Sequence, residues 1–168
     1  MRVLLETNKG AITIELDAAG APKSVENFLA YVDAGHYDGT VFHRVIPGFM
    51  VQGGGYDEKL ERKPTRPPVE NEARQDAKNV RGSVAMARTS DPHSATAQFF
   101  INVSENTSLD HTEKTPAGWG YCVFGRVTSG MDTVETIVHT PTTARAPFSK
   151  DVPIDSIVIK SARRLPEE

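Results

Sequence analysis

The chain is 168 residues long, with 38% hydrophobic and 24% charged residues, ordinary proportions for one folded domain rather than a disordered segment. Nineteen lysines and arginines stand against 22 aspartates and glutamates, and the net charge of -3 supplies no basic field for nucleic acid. A single cysteine, Cys122, excludes an intrachain disulfide and any multi-cysteine metal cage.

No stretch approaches the roughly 20 apolar residues that a membrane helix needs. At the N-terminus, Met1-Arg-Val-Leu-Leu-Glu6 meets charge before an apolar signal core could form. The sequons Asn102-Val103-Ser104 and Asn106-Thr107-Ser108 would matter only in a secreted chain. A cytoplasmic monomer with no membrane or nucleic-acid partner is the expectation. No composition break or linker divides residues 1–168, so a single domain is expected.

The elements follow in chain order. Val3–Glu6 and Ile12–Leu16 flank Asn8-Lys9-Gly10 and read as a hairpin, with Ile12, Ile14 and Leu16 at period two. A helix starts at Pro22, repeats apolar residues at Val25, Phe28, Leu29 and Val32, and can end at Gly35. Short apolar runs then alternate with Gly, Pro and Asn: Val41-Phe42, Phe49–Val51, Ser83–Met86, Phe99–Ile101 and Cys122–Phe124. A second helix is predicted over Met131–Val138, and the β-branched run Ile154–Ser161 reads as the last strand. Many short strands with two separated helices favour a closed antiparallel sheet. Asp57–Arg81 and Thr107–Gly118 are long polar connections of the kind that carry function on a rigid scaffold.

Familiar catalytic patterns are missing. There is no Gly-x-Ser-x-Gly elbow and no His-Glu-x-x-His spacing. His93 and Ser94 are neighbours on a loop and point apart, so His93 is expected to make an ordinary hydrogen bond. Gly53-Gly54-Gly55 lacks the Gly-Lys-Ser/Thr of a phosphate loop. Cys122 reads as a buried small hydrophobe on a strand. Two segments stand out instead. Residues 42–54, Phe-His-Arg-Val-Ile-Pro-Gly-Phe-Met-Val-Gln-Gly-Gly, interleave Arg44 and Gln52 with large apolar groups. Strand alternation puts Arg44 on the face of Phe42, and Gln52 on the face of Met50. Met86-Ala87-Arg88 leads through a polar loop to Gln98-Phe99-Phe100, whose two rings must face opposite ways. Phe42, Phe99 and Phe124 are expected in the core, Phe28 on a helix face, and His43 as a hydrogen-bonded structural histidine. Phe148 has no assignment.

These segments resemble the cyclophilins, through residues 42–54, Gln98–Phe100 and Trp119–Gly125, and most of all the bacterial cytoplasmic type. The resemblance runs from the first hairpin to the last strand. It implies a mainly β fold, a closed eight-stranded antiparallel barrel capped by two α-helices, and peptidyl-prolyl cis-trans isomerase activity without metal or cofactor. It also implies that Arg44 and Gln52 are catalytic. Phe49, Met50, Phe100 and Leu109 would hold the proline ring, Gln98 would give a polar contact, and Ala87 and Arg88 would meet the substrate backbone. Tyr121 stands where a far-wall histidine is common, and Arg88 where asparagine is common, which can alter substrate preference. Ser108 replaces the tryptophan that precedes Leu109 in many members and helps hold cyclosporin, so only weak cyclosporin binding is implied. Trp119 belongs to another motif.

The implied partners are proline-containing peptides and unfolded or folding client proteins. Two other classes stand beside the enzyme. A proline-peptide binding module or chaperone would use the same cleft with little catalysis, and a barrel could store a small apolar ligand. Arg44 together with Gln52 favours the enzyme, because ring binding alone needs only an apolar wall. The third class is weak, since side chains can fill an eight-stranded barrel.

Overall fold

The computed structural model describes residues 1–167. Strands β1 (Arg2–Thr7) and β2 (Gly10–Leu16) form the expected hairpin, with Val3, Leu5, Ile12 and Ile14 fully buried on one face. Helix α1 (Pro22–Asp33) follows. Its ending matches the expected glycine cap: Gly35 has φ +72°, its N–H donates to the Val32 carbonyl, and the His36 N–H donates to that of Tyr31. Its beginning is held from afar. Ala21 has no side chain to cap the helix, and the Glu72 carboxylate accepts from the N–H groups of Lys23 (3.2 Å) and Ser24 (2.6 Å). The long connection after the fourth strand is thereby tied to α1.

Strands β3 (Thr40–Ile46), β4 (Met50–Asp57), β5 (Ser83–Met86), β6 (Phe99–Asn102) and β7 (Val123–Ser129) precede helix α2 (Met131–Val138). The hairpin β8 (Thr142–Arg145) and β9 (Phe148–Pro153) and the strand β10 (Ile159–Leu165) complete the chain. Eight strands form one antiparallel sheet in the order β10-β1-β2-β7-β5-β6-β4-β3. The barrel expected from the sequence is this curled sheet, whose edges meet through little more than the Val41–Val158 bridge and the bonds from Phe42 N–H to Ile157 carbonyl (3.0 Å) and Gly39 N–H to Ile159 carbonyl (2.8 Å). These bonds join the start of β3 to the residues that lead into β10, and the sheet is a curled half-barrel. No helix among the described residues is long and apolar enough to cross a membrane.

The core lies inside the curl. Phe28 of α1 reaches the rings of Phe99 (5.6 Å between centroids), Phe124 (5.1 Å) and Tyr37 (5.2 Å), and Val134, Ile137 and Val138 of α2 are buried in the same cluster. The glycine run of β4 is a packing device. Gly54 has φ +93°, and a Cβ there would lie 2.8 Å from the Tyr37 ring; at Gly55 it would lie 2.5 Å from Gln98.

Two local expectations change, and one element comes without any sequence signal. The last strand begins at Ile159, not Ile154, which is 55% exposed. Asp155-Ser156 interrupts the β-branched run, and Ile157 and Val158 use their backbones to bridge the sheet edge and Asn8 instead. The β8–β9 hairpin had no apolar alternation to announce it; Phe148 and Val152 fasten it against Val41, Leu60 and Val158. Cys122 is buried as expected but lies just before β7, its sulfur 3.5 Å from the Ser24 hydroxyl.

Candidate active site

Strand alternation fails at one place on β3, and the site depends on that failure. Phe42 pairs with Gly53 and Arg44 with Gln52, so two steps on β3 oppose one step on β4. This bulge lets Phe42 and Val45 both point into the core, while Arg44 faces out. The shared face expected for Phe42 and Arg44 is therefore not observed. Met50 and Gln52 do share a face, and Phe99 and Phe100 do separate: Phe99 enters the core and Phe100 the outer cluster with Met50, Ala85 and Ala87.

That outer cluster forms the wall of a cleft of about 200 Å³ lined by Arg44, Phe49, Met50, Gln52, Ala87, Arg88, Phe100, Leu109 and Tyr121. All but one of the site residues singled out in the sequence thus meet in one hollow. Phe49 is not on a strand as expected; it sits in the turn before β4, its N–H bonded to the Ile46 carbonyl (3.0 Å). Leu109 is delivered by a single 3₁₀ turn, Thr107–Leu109. The exception is Gln98, which lines an adjoining pocket of about 180 Å³ that shares Gln52, Ala87 and Arg88 with the cleft.

Gln98 nevertheless acts on the cleft through a relay. Its Oε1 accepts from Gln52 Nε2 at 3.0 Å, which turns the Gln52 carbonyl toward Arg44, and the Arg44 guanidinium donates to that oxygen at 3.3 Å. Gly55 makes room for the Gln98 side chain. The result is an exposed cation at the rim of an apolar wall, oriented by two amides.

Arg88 is engaged differently. Nε and one terminal nitrogen donate to the Gly120 carbonyl at 3.1 and 2.9 Å, and the other donates to the Thr89 carbonyl at 2.8 Å. Its guanidinium carbon lies 4.4 Å from the centre of the Tyr121 ring, and Tyr121 packs edge-on against Phe100 at 5.7 Å. Arg88 thus braces the wall of the cleft.

Histidine takes no direct part. His93 Nδ1 accepts from the Asn71 N–H (3.1 Å) while the Ser94 hydroxyl donates to the Asp91 carbonyl (2.7 Å), so the pair forms no dyad. His43 is buried at 4% exposure, but among the described residues its Nδ1 has no hydrogen-bond partner, contrary to expectation. Instead its ring packs between Tyr56 (4.7 Å) and Phe148 (5.1 Å). Burial, with help from the neighbouring Arg44 charge, lowers its pKa to about 4. No strand-period signal marked Phe148 for this role, because its partners come from strands far away in sequence.

The family profile described as cyclophilin type peptidyl-prolyl cis-trans isomerase matches residues 2–163. The chain belongs to the cyclophilin family. A peptidyl-prolyl cis-trans isomerase of Streptomyces antibioticus is 56% identical over 163 residues, spanning 97% of this chain and 98% of that one. Peptidyl-prolyl cis-trans isomerase B of Escherichia coli is 48% identical over 159 residues, 95% of this chain and 96% of the relative. The fold agrees as well. A Cryptosporidium parvum cyclophilin solved in the presence of the dipeptide Ala-Pro superposes with a TM-score of 0.79 at 29% identity, covering 99% of this chain and 100% of that one. This cyclophilin is accordingly a peptidyl-prolyl cis-trans isomerase.

Proposed function

We propose that the cleft bounded by Arg44 and Phe100 is where this cyclophilin binds the proline of an Xaa-Pro bond and turns it. The reading rests on one observation: a guanidinium fixed by Gln52 at 3.3 Å on the rim of an apolar hollow sized for a small ring. The amide resists rotation through resonance, with a barrier of about 18–20 kcal/mol. In the twisted state the nitrogen regains a lone pair, and a hydrogen bond from Arg44 to that nitrogen is strong only then. Binding that strengthens in the transition state is catalysis.

Each neighbour has a part. Phe49, Met50, Phe100 and Leu109 hold the ring while the residue before it rotates. Gln52 orients Arg44 through its carbonyl, and its amide nitrogen has a second hydrogen for a substrate carbonyl. Gln98 orients Gln52. Ala87 and Arg88 offer backbone groups to an extended peptide, and Tyr121 closes the far side. No step requires a nucleophile, a metal or an external cofactor. The substrates are proline-containing segments of peptides and folding client proteins, and the Ser108 position leaves at most weak cyclosporin binding. The resemblance to the bacterial cytoplasmic type supports a cytoplasmic place of work.

The test is a protease-free isomerisation assay on an Xaa-Pro peptide, comparing the parent with Arg44→Ala. A large loss of kcat/KM in a folded variant is expected; equal values would overturn the assignment of Arg44.

A further inference from the structure

Behind the cleft lies a cluster of buried amides that neither the sequence motifs nor the mechanism above employs. Asn79, Asn102 and Asn106 are exposed by 1%, 0% and 8%. They bond to one another: Asn102 Nδ2 donates to Asn79 Oδ1 (3.0 Å), Asn106 Nδ2 donates to Asn102 Oδ1 (2.7 Å), and the Asn106 N–H donates to the Asn79 carbonyl (2.8 Å). Both sequon asparagines are thus sealed inside the fold.

What matters is where their remaining hydrogen bonds go. Asn106 Nδ2 also donates to the Phe49 carbonyl at 2.8 Å, and Asn79 Nδ2 donates to the Leu109 carbonyl at 3.1 Å and reaches that of Tyr121 at 3.4 Å. Asn102 stands directly opposite Met50 in the β4–β6 register, and its Nδ2 also donates to the Ser83 hydroxyl at 2.8 Å. Phe49 and Met50 form one wall of the cleft, while Leu109 and Tyr121 come from the connection that forms the other. That connection has no strand to fix it between residues 103 and 122. The three amides are the shared anchor of two walls that otherwise belong to different segments.

We propose that Asn79, Asn102 and Asn106 are positioning residues, a frame that sets the width of the proline cleft and thereby the place of the ring relative to Arg44. A fully bonded buried amide network is rigid, because every partner it loses is left desolvated and unpaired. Loosening it lets the Leu109–Tyr121 side drift while Arg44, Gln52 and Gln98 keep their own relay. The ring still binds, since apolar contact tolerates small shifts, but the twisted amide no longer meets the guanidinium. Turnover therefore suffers more than affinity. The inference rests on the cleft being the proline site, and the Arg44→Ala assay tests that separately: loss there with no loss below would sink the frame alone.

The experiment measures kcat and KM for Asn106→Ala at a temperature well below its unfolding midpoint. Losing the bonds of the Asn106 amide to the Phe49 carbonyl, to Asn102 and from the Ser104 hydroxyl should lower kcat by about two- to tenfold with KM changed less than twofold. Val134→Ala, which makes a cavity at a fully buried position on α2, serves as the control for lost stability and should leave kcat unchanged. Asn106→Asp adds a readout that a purely structural role would not move, and it stands in if the alanine variant does not fold. A protonated carboxyl can donate to the Phe49 carbonyl and an ionised one cannot, so kcat should rise as pH falls in this variant but not in the parent. Parent-like kcat in folded Asn106→Ala, or a flat profile in folded Asn106→Asp, would overturn the proposal.

Discussion

His43 and Arg44 are adjacent, and neither side chain joins the core cluster that takes Phe42 and Val45 on either side of them, yet they meet opposite surroundings. Over His43 the β8–β9 hairpin lays Phe148 down, leaving the imidazole 4% exposed. Nothing of the kind covers Arg44, which stays in water beside an apolar hollow. One sheet surface is thus divided into a part that is sealed and a part that stays open beside the proposed proline cleft. The division is made by an element, the hairpin, that carries no chemistry of its own.

The sharpest way to probe the sealed half is pH. Because folding lowers the His43 pKa from 6.5 to about 4, the unfolded chain binds a proton there that the folded chain refuses. Stability should be full above pH 6.5 and fall as pH drops toward 4, by about 3 kcal/mol at the acid end. His36, also lowered chiefly by burial, acts in the same direction. Asp17, whose pKa is lowered chiefly by its hydrogen bond from Arg74, adds its loss only below 3.8. Urea unfolding at pH 7 and pH 4.5 should show the decline, and His43→Phe should flatten most of it; an unchanged slope would show that His43 is not its source.

The open half should respond in turnover instead. Arg44→Ala should cost about 1.5–3 kcal/mol of transition-state binding, one to two factors of ten in kcat/KM, with the melting temperature nearly unmoved. The parent's kcat/KM should be level from pH 6 to 8, because the proposed rotation involves no proton transfer; a bell centred near neutrality would point to a histidine acid or base. Next in size is Gln52→Ala, which frees Arg44 without removing it and should lower kcat/KM about two- to tenfold. Arg88→Ala should be the mildest. Loss of its stacking on Tyr121 is worth about 0.5–1 kcal/mol, or roughly two- to fivefold in kcat/KM. Its donors already serve Gly120 and Thr89, so preference across acidic and basic peptides should stay that of the parent. A selective loss on acidic peptides would show that Arg88 reads substrate charge after all.

Much of the site could be read before any fold was known. The run from Phe42 to Gly54 and the Gln98–Phe100 triplet named five of the nine residues that line the cleft, Arg44, Phe49, Met50, Gln52 and Phe100, because site chemistry is written in side-chain types at short spacing. Helices α1 and α2 were equally plain, since their apolar residues recur with the helical period. Other features left no such mark. Glu72 caps a helix 48 residues earlier in the chain, and no local capping residue hints at it. The asparagines behind the cleft look like glycosylation acceptors in sequence and are buried frame members in space. Period-two reasoning gave the wrong face for Arg44, because a bulge adds a residue that no propensity announces.

Taken alone, then, the sequence determined the family, the two helices, the hairpin start and the polar and apolar residues of the cleft. These depend on local periodicity and residue chemistry, which the chain carries wherever it folds. Tertiary structure decided which of two adjacent polar residues would be sealed and which exposed. It also decided that Gln98 would contact Gln52, that Arg88 would brace Tyr121, and that Asn79 would meet Asn102 and Asn106 behind the two walls. Those outcomes depend on which strands lie side by side once the sheet curls, and contacts across that curl have no period along the chain.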